Sequence, residues 1–152
     1  MYSDREILVW VNKSLDVNIK QLEDLCSGAE YCKLLHKLCP WAINLKKVLL
    51  TTKTQAGFIH NMKLLQKGLK NQGVEKQIPI HRMVDGAYRE NLEFAQWFKT
   101  FYEHNHMVRK DEIAQENGKS AIGLVKPHNI SLTIQPTQDA KAILGIMFKN
   151  NN

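Results

Sequence analysis

Thr54-Gln55-Ala56-Gly57-Phe58-Ile59-His60-Asn61-Met62-Lys63-Leu64-Leu65-Gln66-Lys67-Gly68-Leu69-Lys70 decides the fold class. Phe58, Ile59, Met62, Leu65 and Leu69 recur at the spacing that lines one face of an α-helix, while Lys63, Lys67 and Lys70 fall off that stripe. The pattern predicts a long helix from Thr54, closed by Gly73. Such a helix is stable only if its apolar face is covered. The flanking segments supply the cover, and the expected fold is all-α, a helical bundle around this central helix.

Upstream, Ser3 and Glu6 form a capping-box pattern ahead of Ile7, Leu8, Val9, Trp10 and Val11, which predicts a first helix running to about Leu15. Asp16 to Asn18 reads as a break. Ile19, Leu22, Leu25 and Cys26 then suggest a short helix that stops at Ser27-Gly28. Ser27 is placed to cap a third helix lined by Ala29, Cys32, Leu35, His36 and Cys39, which Pro40 terminates. Trp41 to Lys53 has no long helical period and reads as an irregular loop exposing its lysines. Downstream, Val74 to Pro79 is a linker, Ile80 to Val84 a helical turn and Asp85-Gly86 a turn. Asn91 is expected to cap an aromatic helix from Leu92 to Tyr102. Trp10, Phe94, Trp97, Phe98 and Phe101, at helical spacing, are expected in the core rather than in a ligand site. After His106 the pattern weakens, so 107 to 152 is expected to be a less ordered tail. Ile130 to Ile134 carries a weak strand pattern and Ala140 to Phe148 a weak helical one.

With 152 residues, 43% of them hydrophobic, the chain suits one domain with one core. No apolar run reaches the roughly 20 residues of a membrane span, and the N-terminus lacks a secretory leader pattern, so a cytoplasmic protein is expected. Cys26, Cys32 and Cys39 match no zinc or redox spacing and are expected to be free thiols. The histidines find no completing ligands, and no phosphate loop or nucleophile with a base stands out; neither metal, cofactor nor catalysis is expected. The net charge is +6, and it is localised: from Ala42 to Arg89 nine Lys and Arg face two acidic residues, giving +7. An acidic partner follows from that field.

Five blocks carry a closer likeness: Leu25-Cys26-Ser27-Gly28-Ala29-Glu30-Tyr31-Cys32, Leu45-Lys46-Lys47-Val48, Ile59-His60-Asn61-Met62-Lys63-Leu64-Leu65-Gln66, Gly73-Val74-Glu75-Lys76-Gln77-Ile78-Pro79 and Asn91-Leu92-Glu93-Phe94-Ala95-Gln96-Trp97-Phe98-Lys99. In this order they resemble the N-terminal calponin-homology domain of the microtubule end-binding family, over about residues 4 to 106. The resemblance implies a domain at 1–106 that binds tubulin in the microtubule lattice near growing ends, in the groove between protofilaments, with sensitivity to tubulin's nucleotide state. It places the lattice-facing cations on Lys46, Lys47, Lys53, Lys63 and Lys76, with Arg89 and Lys99 nearby, and implies a cytoskeletal location.

Two departures stand beside it. His81, Asp85 and Ala87 lie where the family commonly has lysines, so either a lower lattice affinity or a lost nucleotide-state preference is expected. The chain ends Phe148-Lys149-Asn150-Asn151-Asn152 with no sustained heptads, so family-type coiled-coil dimerisation is not expected. The rival expectations are a calponin-homology module for actin or another protein, a nucleic-acid binder drawn by the same field, and a partner subunit without lattice affinity.

Overall fold

The structure, a computed structural model of the chain, describes residues 1–115. Five α-helices form it: α1 (Asp4–Leu15), α2 (Ala29–Leu38), α3 (Gln55–Asn71), α4 (Ile80–Val84) and α5 (Tyr88–Gln115), with short 3-10 turns at Leu22–Ser27 and Leu45–Lys47. The all-α expectation holds over these residues. The weak patterns at 130–134 and 140–148 lie outside them.

The helix ends follow their local chemistry. Ser3 Oγ accepts from the Glu6 amide while the Glu6 carboxylate accepts from the Ser3 amide, so the capping box closes as the sequence implies. Thr54 Oγ1 accepts from the Gly57 amide and starts α3. The 3-10 turn begins at Leu22 rather than Ile19, because Asn12 holds Ile19 from both sides: its Oδ1 accepts from the Ile19 amide at 2.7 Å and its Nδ2 donates to the Ile19 carbonyl at 3.1 Å. Gly28, at φ +79°, makes the reversal into α2; a side chain there would also meet Asn61 Cβ at 3.0 Å.

α5 differs from expectation at both ends. It starts at Tyr88, so Asn91 lies inside its first turns and caps nothing. Asn91 is buried, and its Nδ2 donates to the carbonyls of Met83 at 3.1 Å and Ala87 at 2.9 Å, tying α4 to α5. At the far end the backbone remains helical past His106 to Gln115.

The core lies where α1, α2, α3 and α5 meet, and Tyr31, Phe94, Phe98 and Phe101 are almost wholly removed from water there. Tyr31 packs edge-on against Phe94 and Phe98, with ring centroids 5.0 and 5.1 Å apart. Each ring of this size takes roughly 150–250 Å² out of water, about 4–6 kcal/mol before the entropy of ordering it. Trp97 is in the core as expected. Trp10 is only half-buried and rests on its edge, against Phe98 and Tyr102. The three cysteines are free thiols; burial pushes the Cys32 thiol up to about 12 and raises that of Cys26.

Candidate functional site

The Trp41–Lys53 connection is where the field and the fold meet. Its backbone is fastened by residues of α3. Asn61 is fully buried and closes a pair of hydrogen bonds with Leu49: the Leu49 amide donates to Oδ1 at 2.8 Å, and Nδ2 donates to the Leu49 carbonyl at 3.0 Å. The same Nδ2 donates to the Ser27 carbonyl at 3.0 Å, so one side chain joins the turn before α2, the basic loop and α3. The preceding residue adds a further tie, for His60 Nε2 lies 2.8 Å from the Lys47 carbonyl. A carbonyl only accepts, so Nε2 carries the proton. Asn44 Oδ1 accepts from the Lys46 amide at 2.9 Å and sets the 3-10 turn that presents Lys46 and Lys47.

Gly57 packs the distal end of the loop. A Cβ there would sit 1.9 Å from Thr52 Oγ1 and 2.8 Å from Thr52 Cβ, so only glycine lets the loop lie on the first turn of α3. The loop is therefore shaped from its backbone inward, while Lys46, Lys47 and Lys53 remain exposed.

Lys63 joins them through α3. It follows His60 by three residues, on the same helix face, and Lys67 and Lys70 continue that face. All three lysines are exposed. Among the described residues the ion pairs are Arg82–Glu90 and Lys99–Glu103, and neither uses these cations or those of the loop. Lys67, Lys70 and Arg82 are not among the cations that the resemblance assigns to the site; the spacing of the first two from Lys63 is the signal that would have added them.

The remaining assigned cations separate into three cases. Arg89 is exposed in the first turn of α5. Lys76 is held beside α3 because Gln66 Nε2 donates to the Lys76 carbonyl at 2.7 Å and the Ile78 amide donates to Gln66 Oε1 at 2.9 Å. Its ammonium lies over the Trp97 ring, 5.4 Å from the centroid, and burial lowers its pKa while Glu93 opposes the shift. Lys99 does not belong to the exposed face. It is 7% exposed, covered by Tyr2 and Trp10, whose ring centroids lie 4.1 and 5.2 Å from its Nζ, and ion-paired with Glu103. The long cationic side chain is drawn inward by the two rings and by the carboxylate one turn further along α5. Of the departures, Asp85 is held by Gln55 at 2.7 Å, which sets a carboxylate beside the start of α3.

The Tyr2 hydroxyl donates to Glu103 as well, and burial followed by that carboxylate raises the phenol from 10.0 to about 12. A folded-state pKa above the unfolded one contributes stability that is whole below pH 10 and is lost as pH rises through about 12. Tyr2→Phe should therefore lose less stability than the native chain between those pH values. Urea unfolding at several alkaline pH values checks this; parallel decline in both proteins would count against the Tyr2–Glu103 coupling.

Among the described residues no helix is long and apolar enough to cross a membrane, and no three His, Cys, Asp or Glu groups gather as a metal-ligand set. The family model for the calponin homology (CH) domain matches residues 1–107. The chain belongs to the calponin homology family. Its CH domain is also similar to a chain in a solved structure described as the structural basis of microtubule plus end tracking by XMAP215, CLIP-170 and EB1. The two share 28% sequence identity with a TM-score of 0.63, over 67% of this chain and 86% of the other. The matched span takes in the whole basic loop and all of α3 and α4.

Proposed function

We propose that this CH domain is a non-catalytic module, residues 1–106, that docks on microtubules through the 41–53 loop and the lysine face of α3. Lys46, Lys47, Lys53 and Lys63 make the principal contacts in this reading, with Lys76 and Arg89 at its margin; Lys99 is set aside because it is buried. The carrying observation is a firmly fastened loop whose cations are exposed and, among the described residues, without carboxylate partners, in a domain similar to one from a plus end tracking assembly. Tubulin's acidic outer surface is the complement such a face requires, and the attraction extends about one Debye length, ~8 Å at physiological salt. The cellular setting that follows is the cytoplasmic microtubule array, with growing plus ends the preferred sites.

Co-sedimentation of the pure chain with stabilised microtubules, and in parallel with actin filaments, at about 0.15 M salt tests the proposal. Saturable pelleting with microtubules alone is expected. Pelleting with actin alone, or retention by nucleic acid at salt that releases it from microtubules, would overturn it.

A further inference from the structure

Leu49 and Leu50 are 44% and 50% exposed, side by side, between Lys46-Lys47 and Lys53. Isolated exposed leucines are ordinary. These two are not carried on a slack loop, because the Leu49 backbone is bonded on both sides by the buried Asn61 and Thr52 is packed against Gly57. The fold uses a buried amide side chain to hold an apolar pair outward on a loop whose flanking Lys46, Lys47 and Lys53 are also exposed. An apolar tip with a basic rim fits an acidic protein surface that offers a shallow apolar depression.

We infer that Leu49 and Leu50 form an apolar contact at the centre of the docking surface and give the attachment a component that salt does not screen. The inference rests on the microtubule-docking reading and names what that reading lacks: lysines alone supply an attraction that fades with ionic strength, whereas burial of leucine does not. It also assigns the distinct partner feature, apolar area within an acidic face, that would separate a true site from general attraction to polyanions.

The test uses the full chain, in which Leu49→Ser/Leu50→Ser is compared with the native protein by microtubule co-sedimentation from about 0.05 to 0.3 M salt. The double variant should bind roughly tenfold more weakly at every salt concentration, with the salt dependence unchanged. Leu50→Ser alone, which leaves the Asn61–Leu49 bonds in place, should weaken binding about threefold and serves if the double variant unfolds more readily. Native protein that pellets while both leucine variants bind equally well would overturn this inference and leave the docking reading standing; native protein that never pellets would overturn both. Vesicles of one part phosphatidylserine to three parts phosphatidylcholine are the control. Leucine-dependent vesicle binding combined with leucine-independent microtubule binding would assign the tip to a membrane and overturn the inference.

Discussion

Lys46→Glu combined with Lys47→Glu is expected to weaken microtubule binding at least tenfold, about 1.4 kcal/mol, while leaving the fold unchanged. Both side chains are exposed and among the described residues neither is in an ion pair, so their replacement should move stability by less than about 0.5 kcal/mol. The 3-10 turn itself survives, because it is made by Asn44 Oδ1 and backbone groups rather than by the lysine side chains. Two attractive charges become two repulsive ones within a face of unpartnered cations, and the loss should shrink as salt is raised. Circular dichroism and thermal unfolding establish the fold; the binding isotherm at two salt concentrations decides the site. A well-folded double variant that pellets like the native chain would remove these lysines from the interface.

The sequence carried the fold because the elements obey local rules that a single chain displays. The capping box at Ser3 and Glu6, Pro40 and the stripe from Phe58 to Leu69 each act within a few residues, and each is found where the pattern puts it. Asn91 shows the limit. Its residue type favours a helix start, yet here it is spent on the carbonyls of Met83 and Ala87, a choice made by how α4 packs on α5. Lys99 shows the same limit for the site. Charge and spacing give no sign that Tyr2 and Trp10, far away in the sequence at the other end of the domain, fold over it. Leu49 and Leu50 were given no role from the sequence; they are apolar residues in a loop whose backbone is held by hydrogen bonds to Asn61, twelve residues further on for Leu49. What was legible was the presence of a basic loop; what was not was its fastening.

That fastening is open to direct measurement, since Asn61→Ala removes it at one atom group. Three hydrogen bonds disappear, to the Ser27 carbonyl and to both backbone groups of Leu49, all made by a side chain that is itself fully buried. Each such bond is worth about 1 kcal/mol net, and polar groups left buried without partners cost more, so a loss of about 2–4 kcal/mol in unfolding free energy is expected. Against a total of roughly 5–15 kcal/mol the variant should still fold, and the damage should be local: proteolysis should begin within 48–53, and microtubule affinity should drop although every lysine is retained. Urea unfolding gives the stability, and limited proteolysis with co-sedimentation gives the location. A loss under about 1 kcal/mol would show that the loop is held elsewhere, chiefly by His60 and Gly57. The expected loss of stability with undiminished binding would separate the loop's rigidity from its function. The pair of outcomes therefore distinguishes a surface that works by its charges alone from one that works because α3 holds those charges, and the leucines between them, in a fixed arrangement.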